Sequence, residues 1–203
     1  MRRIRIVVAY DGTNYCGWQI QPNGITIEEI LNRQISKLTG EDIRIIGASR
    51  TDSGVHALGN VAVFDTESRI PGDRFAYALN QKMPEDIVIV RSDEVQIDWH
   101  PRYQNEISKT YEYHIYNAKV RNPLKNRYST FVSFDLDVEK MRQGAKYILG
   151  EHDFASFCNV RTNAKDTVRT VHEITIKEIP MDKFQASNWG QENSNLENEN
   201  IIK

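Results

Sequence analysis

Three chemically useful side chains lie close together in one segment, residues 47–60, which reads GASRTDSGVHALGN. Arg50 offers a permanent cation, Asp52 a carboxylate and His56 an imidazole. Two apolar runs that predict buried strands flank the segment. A loop that leaves one strand and returns to the sheet is held at both ends, so it can direct a side chain towards a substrate. The segment is therefore the first candidate for an active site.

The carboxylate of Asp52 has three readings on its residues alone. It can pair with Arg50 and shape the loop. The tripeptide DSG is also the signature of aspartic proteases, but a nearby cation opposes proton sharing, and the chain holds no second copy. Third, an ionised carboxylate can attack an electron-poor carbon or stabilise the cation formed when a glycosidic bond breaks. In that reading Arg50 contacts a phosphate, while Gly54 and Gly59 let a nucleotide approach the backbone.

A second feature is a stretch of interleaved cations and aromatic rings, residues 99–130. The whole chain has a net charge of −2, whereas this stretch holds six Lys or Arg residues against two Glu. Cations for phosphates and rings for bases are what a nucleic-acid surface provides. An ordinary pair of strands with its basic side chains facing outward explains the pattern equally well.

The composition is that of a polar globular chain, with 39% hydrophobic residues, 27% charged residues and a mean hydropathy of −0.57. Its 203 residues suffice for one large domain or two small packed ones. No run approaches the roughly 20 apolar residues that span a bilayer. Cys16 and Cys158 match no metal spacing and fit a reducing cytosol. We therefore expect a cytoplasmic protein without a metal or a membrane partner.

The elements that must position the loop follow the split βαβ pattern of a ferredoxin-like α+β unit. Alternating apolar residues predict the strands. Thr26 and Glu29 form a capping box before a helix that Gly40 ends, and a shorter helix follows Pro71-Gly72. The predicted strands of this half are residues 4–8, 43–46, 61–64 and 87–90.

The second half begins in the same way, with a strand at 110–116, a helix at 137–149 capped by Asp137 and a strand at 171–179. Residues 185–203, with five Asn and three Glu, are predicted to be disordered. The predicted fold class is α+β: two ferredoxin-like units share an antiparallel-rich central sheet with helices on one face, and the second unit is incomplete. The predicted domains are residues 1–105 with the loop, 106–184 incomplete, and the tail 185–203.

Several motifs occur in an order and spacing that point to one family. They are YDGTNYCGWQIQPNG, SRTDSGVHALGN, HPRY, KTYEYHIYN, GEHDFASF and VRT. Together they resemble the A-type tRNA pseudouridine synthases, which modify uridines at positions 38 to 40 of the anticodon stem-loop. The resemblance extends over residues 4–179, and SRTDSGVHALGN corresponds to the family's nucleophile motif.

The resemblance implies an isomerase that detaches uracil from C1′, rotates it and rejoins it through C5. Such a reaction has no net redox change and no net hydrolysis, so no cofactor is expected. The family's pattern makes Asp52 the nucleophile, attacking either C1′ or C6. It also implies tRNA as the partner and a homodimer as the oligomeric state.

Other site residues are implied by position in the same motifs. Arg50 takes the place of the flipped base, and Tyr111 stacks on the uracil. His56 packs within the loop or contacts the RNA, and His100 and Arg102 shape the cleft. Trp18 and Gln19 line the RNA-facing surface near the first strand.

The sequence departs from the family's pattern in three places. Ser49 and Ser53 stand where glycine and alanine are common, and we expect both to be harmless. After the last predicted strand, the family's glycine-asparagine-phenylalanine strand and the helix that supplies a basic partner for the carboxylate have no counterpart. Lys183, Phe184 and Trp189 do not reproduce the spacing. The alternative hypothesis is therefore a truncated, catalytically impaired relative that binds RNA.

Overall fold

The computed structural model describes residues 1–103, 108–158 and 166–179, and the chain divides into two compact units, Met1–Ile107 and Ser108–Lys203. The fold is mixed α/β with mainly antiparallel strand pairing and few helices, which confirms that part of the predicted fold class. The domain boundaries stay a prediction. The predicted tail and the residues that follow the last predicted strand lie outside the described residues.

Within residues 1–103, the first unit has the element order βαββαβ. Its elements are β1 (Arg2–Tyr10), α1 (Ile27–Thr39), β2 (Ile46–Gly47), β3 (Ala57–Thr66), α2 (Phe75–Asn80) and β4 (Ile87–Val95). The strands form one sheet in the order β2-β3-β1-β4, and each neighbouring pair is antiparallel. Buried residues of both helices and of the sheet form a single core.

The central strand β1 has a core face and an ionic face. On the opposite face from the core, the Arg3 guanidinium pairs with Asp65 at 2.7 Å, and Arg5 pairs with Asp93 at 2.7 Å. Each carboxylate lies directly across from its arginine in the neighbouring strand, so the ion pairs support the strand register. The side chains of β1 in the core are those of Ile4, Ile6, Val8 and Tyr10.

The predicted helix after Thr26 is confirmed as α1. The Thr26 hydroxyl accepts a hydrogen bond from the Glu29 N–H at 3.3 Å, which satisfies one of the unpaired donors of the first turn. At the other end Gly40 has φ 78°, and its N–H donates to the Ser36 carbonyl, as helix C-caps require. The buried residues of α1 are Ile27, Ile30, Leu31 and Ile35.

The predicted strand at 43–46 is wrong in extent, because β2 comprises only Ile46 and Gly47. The reason lies in the backbone donors of this segment. The N–H of Ile43 donates to Ser36 Oγ at 3.0 Å, and that of Ile45 donates to Asn32 Oδ1 at 2.9 Å. Side chains of α1 thus take the hydrogen bonds that a strand partner would have received.

The second unit contains shorter elements. They are β5 (Ile115–Asn117), β6 (Thr130–Val132), α3 (Val138–Ala145), β7 (Gly150–Asp153) and β8 (Val168–Val171). β5 pairs with β6 in parallel, and β7 pairs with β8 antiparallel. Among residues 108–158 and 166–179 no sheet exceeds two strands, so a larger sheet in this unit is not observed.

Both predicted strands of the second unit are wrong in extent. Only Ile115 and Tyr116 of the predicted strand 110–116 lie in β5, and β8 ends at Val171, where the predicted strand 171–179 begins. The alternating pattern at 171–179 meets no strand partner in the described part of the unit. Instead, the Ile176 carbonyl accepts hydrogen bonds from the Arg142 guanidinium at 3.1 and 3.3 Å.

The predicted helix at 137–149 ends four residues early. Asp137 caps it as expected, accepting from the Lys140 N–H at 3.0 Å. After Ala145 the chain continues in tight turns, in which the Ile148 N–H donates to the Ala145 carbonyl at 3.1 Å. Gly144 lies in the last turn, and glycine is a poor helix former.

None of the helices among the described residues has both the length and the apolar character that spanning a membrane requires.

Thr26→Ala tests whether the cap holds α1 in place. We expect a loss of about 1 kcal/mol in the free energy of unfolding, measured by urea titration, because one donor of the first turn loses its acceptor. Thr26→Ser retains the hydroxyl and serves as the matched control. Equal losses in the two variants would show that the buried methyl group of Thr26, and not the cap, carries the effect.

Candidate active site

The loop between β2 and β3, residues 48–56, presents Asp52 at the surface. Both Asp52 and Arg50 are exposed. Across residues 1–103, 108–158 and 166–179, neither side chain has an ion-pair or hydrogen-bond partner, so the reading in which Arg50 and Asp52 pair is not observed. Packing does not enclose the carboxylate, which leaves it accessible to a ligand.

The segment 12–18, which follows β1, holds this loop through backbone hydrogen bonds. The Trp18 N–H donates to the Thr51 carbonyl at 3.0 Å, and the Gly54 N–H donates to the Tyr15 carbonyl at 3.2 Å. The Ser53 hydroxyl donates to the same Tyr15 carbonyl at 3.2 Å. Backbone groups on both sides of Asp52 are therefore fixed without use of its carboxylate.

Two glycines in that segment permit the close approach. A Cβ on Gly12 would lie 2.0 Å from the Val55 carbonyl oxygen, and a Cβ on Gly17 would lie 2.5 Å from the Thr51 carbonyl oxygen. Both distances are far below van der Waals contact. Gly17 also has φ +80°, a region that other residues rarely adopt. The motif YDGTNYCGW thus carries glycines because the loop 48–56 packs directly against its backbone.

The segment is itself anchored to the body of the unit. The Tyr15 hydroxyl donates to Asp86 Oδ1 at 2.5 Å, and the Asp11 N–H donates to the Asp86 carbonyl at 3.0 Å. Burial, together with the hydrogen bond to Asp86, raises the pKa of Tyr15 above its ordinary value. The phenol of Tyr15 therefore keeps its proton, and its role as a donor, to higher pH than an ordinary tyrosine.

His56 lies at the base of the loop, one residue before β3. Its Nδ1 is 3.2 Å from the Gly12 backbone nitrogen, which donates to it, and 3.0 Å from Asp11 Oδ1. Its side chain is 22% exposed. These contacts give His56 a role in packing the loop against the segment after β1. A contact between His56 and RNA stays a prediction.

The HPRY motif meets the start of the loop, a connection that sequence reasoning missed. The Arg102 Nε donates to the Gly47 carbonyl at 2.7 Å. The turn is compact: the Arg102 N–H donates to His100 Nδ1 at 3.1 Å, and the His100 ring stacks on Tyr103 at 4.5 Å. Motifs about 50 residues apart in sequence give no signal of this contact, because only the folded sheet brings them together.

Trp18 does not line an RNA-facing surface, contrary to expectation. Its indole is 2% exposed and lies in the core, with its ring centroid 5.9 Å from that of Tyr10. The ring fills the space beside Gly47, where a Cβ would lie 2.6 Å from the indole. A large apolar ring gains more from this burial than from solvent contact. Gln19, the next residue, is exposed.

The other predicted substrate residues belong to the second unit or to the basic stretch. Tyr111 precedes β5 and is 51% exposed. Basic residues of the stretch make contacts within the chain: Lys119 pairs with Asp135 at 2.7 Å, and the Arg121 guanidinium lies 4.8 Å from the Phe131 ring centroid. Among the described residues, no group of three or more His, Cys, Asp or Glu side chains is arranged to hold a metal ion.

Comparison with known proteins gives consistent similarities. A family model described as tRNA pseudouridine synthase matches residues 6–104 and 145–188. The tRNA pseudouridine synthase A of Acetivibrio thermocellus is 47% identical over 191 residues, which cover 94% of this chain and 78% of the relative. That of Brevibacillus brevis is 44% identical over 179 residues, covering 88% and 73%. The tRNA pseudouridine synthase A 2 of Clostridium perfringens is 48% identical over 177 residues, covering 87% and 72%.

Gly17→Ala tests the close approach beneath the loop. Gly40 has nearly the same positive φ, 78°, but open space around it, so Gly40→Ala is the matched control. Each variant should lose roughly 1–2 kcal/mol through backbone strain. We expect a larger loss for Gly17→Ala, measured by urea unfolding, because its methyl group must also displace the Thr51 carbonyl. Equal losses would contradict tight packing at this contact.

Proposed function

The chain belongs to the tRNA pseudouridine synthase family, whose members are isomerases, and from this premise we propose that it converts uridine to pseudouridine at positions 38 to 40 of the anticodon stem-loop of tRNA. The observation that carries the proposal is the accessible carboxylate of Asp52 on a loop whose backbone is hydrogen-bonded on both sides. A nucleophile needs an uncommitted carboxylate in a fixed place.

The proposed reaction conserves every atom of the nucleotide. The bond between uracil N1 and C1′ breaks, and a bond between C5 and C1′ forms. C5 loses a proton and N1 gains one, so neither water nor an electron carrier is consumed. Asp52 assists in one of two ways. It attacks C1′ as the glycosidic bond breaks and leaves when C5 bonds to C1′, or it adds to C6 of the base and is eliminated once the bond between C5 and C1′ has formed. Either route uses the carboxylate in its ionised form.

Arg50 supports the proposal from the same loop. A uridine inside a stem must leave the helix before a side chain can reach its C1′ or C6. Arg50 is exposed, two residues from Asp52, and lacks a partner among the described residues. We assign it to the space vacated by the flipped base or to a neighbouring phosphate. Stacking of Tyr111 on the uracil and RNA contacts of His56 and Arg102 belong to the same proposal.

The proposal extends to architecture and assembly. The βαββαβ order and strand order β2-β3-β1-β4 support a ferredoxin-like first unit. Among the described residues of the second unit, Ala145 alone is buried, and many large apolar side chains are exposed, which supports burial in a homodimer. The most exposed of these apolar side chains are Val120, Leu124, Phe134, Tyr147 and Phe157. A monomeric mass in a sedimentation equilibrium experiment would contradict the proposed homodimer. We also place the proposed activity in the cytoplasm.

Asp52→Asn removes the negative charge at nearly constant volume. We expect the rate of pseudouridine formation on unmodified tRNA to fall by more than about 10³-fold, as for other nucleophiles, while the Kd for tRNA stays unchanged. Asp42→Asn is the control, because Asp42 is also an exposed carboxylate of this unit. It should retain full activity.

Two outcomes of this assay decide between the hypotheses. Undiminished turnover in Asp52→Asn would rule out the nucleophile role. An unaltered chain that binds tRNA but yields no pseudouridine would favour the catalytically impaired RNA-binding relative.

Arg50→Gln tests the phosphate contact through salt dependence. Affinity for tRNA should fall steeply as salt rises, because phosphate contacts release counterions. Removing one such contact should lower the slope of log K against log salt by roughly 0.7 to 0.9. Lys37→Gln, on α1, removes an exposed cation outside the loop and should leave the slope unchanged. A slope that is the same for Arg50→Gln and the unaltered chain would exclude the phosphate contact.

A further inference from the structure

Two buried polar side chains lie beneath the nucleophile loop and have no part in the proposed chemistry. Tyr10, the last residue of β1, is 5% exposed, and Asn60 of β3 is 8% exposed. The other side chains of β1 on this face are aliphatic. Burying a polar group is unfavourable unless it is hydrogen-bonded, so the partners of these two side chains are informative.

Both side chains bond to the loop from below. The Tyr10 hydroxyl is 2.9 Å from Thr51 Oγ1. The Asn60 amide donates to the Ser49 carbonyl at 3.0 Å and lies 3.5 Å from the Tyr10 hydroxyl. The Asn60 amide donates to the phenol oxygen, and either hydroxyl can be the donor in the bond between Tyr10 and Thr51. Burial raises the pKa of Tyr10 above its ordinary value, so the phenol keeps its proton to higher pH than an exposed tyrosine.

These contacts converge on the residue immediately before Asp52. The Thr51 carbonyl accepts from the Trp18 N–H at 3.0 Å, and its hydroxyl bonds to Tyr10. Thr51 is thus held at its backbone and at its side chain. The loop continues as a turn in which the Val55 N–H donates to the Asp52 carbonyl at 3.2 Å. With the backbone held on both sides of Asp52, its carboxylate moves mainly by rotation about the side-chain torsions.

We propose that Tyr10, supported by Asn60, is a positioning residue that sets the place of the Asp52 carboxylate through Thr51. The inference rests on the proposed function, since it concerns the nucleophile of that reaction. Packing alone does not require the Tyr10 hydroxyl, because a phenylalanine side chain would fill nearly the same volume. Phe64 and Phe75 pack in the same core without a hydroxyl. The Tyr10 hydroxyl lies at the end of β1 nearest the loop, and its role is to bond to the loop.

Removal of either hydroxyl should slow the reaction without weakening tRNA binding. We expect Tyr10→Phe and Thr51→Val each to lower the single-turnover rate of pseudouridine formation roughly 10- to 100-fold through misplacement of the nucleophile. The Kd for tRNA should be unchanged, because the Tyr10 hydroxyl is buried below the loop. The double variant should be no slower than the slower single variant, since both changes break one bond.

Two further variants separate positioning from general stability. Thr51→Ser keeps the hydroxyl and should keep the rate. Thr66, at the far end of β3, is 2% exposed and donates to Glu41 at 2.8 Å. Thr66→Val should lose stability as Thr51→Val does, yet keep the rate. Undiminished rates in Tyr10→Phe and Thr51→Val, or effects that multiply in the double variant, would overturn the proposal.

Failure of the proposed function has a different signature. An unaltered chain that forms no pseudouridine refutes the activity, and amide hydrogen exchange then decides the positioning role. The Trp18 N–H, which bonds to the Thr51 carbonyl, should exchange faster in Tyr10→Phe than in Thr66→Val. Equal exchange in the two variants would show that Tyr10 does not hold the loop.

Discussion

The candidate site depends on one constraint: the loop 48–56 is placed by backbone hydrogen bonds from the segment 12–18. Such bonds need near contact between two chain segments, which Gly12 and Gly17 allow because a Cβ at either position would collide with a loop carbonyl. Since main-chain groups, together with the side chains of Tyr10 and Asn60, hold the loop, the Asp52 side chain is not needed to shape it. Because the structure of the loop does not depend on the Asp52 carboxylate, this carboxylate remains available to contact a substrate.

Charge is distributed differently over the sheet and over the loop. Arg3 and Arg5 are neutralised by carboxylates directly opposite in the neighbouring strands. The hydrogen bond that Arg3 donates to Asp65 raises the pKa of Arg3. Arg50 and Asp52, by contrast, have no partner in the described part of the chain. Charges that are unpaired and carried on a hydrogen-bonded loop backbone before the substrate arrives need little rearrangement of the loop during reaction. This arrangement suits the proposed isomerisation better than a structural role.

Sequence reasoning located the loop but misjudged some of its surroundings. The alternation of 4–8, the capping box at Thr26 and the strand at 61–64 were sufficient to predict β1, α1 and β3, because each signal is local. The strand at 43–46 failed because Ser36 and Asn32 of α1 take its backbone donors. The prediction that Trp18 faces RNA failed because its sequence context does not distinguish an aromatic residue that binds a ligand from one that packs in the core.

The sequence alone determined which reactive groups the candidate site contains. They are the Asp52 carboxylate and the Arg50 guanidinium, in one loop bounded by glycines. The order of the surrounding motifs identifies the family. Those signals are residue types and spacings, which need no folded chain. Only the tertiary structure decided that the YDGTNYCGW backbone braces this loop, that Arg102 bonds to Gly47 and that Tyr10 reaches Thr51. Each of these contacts joins residues more than 30 positions apart, and such pairs meet only when strand pairing and core packing bring them together.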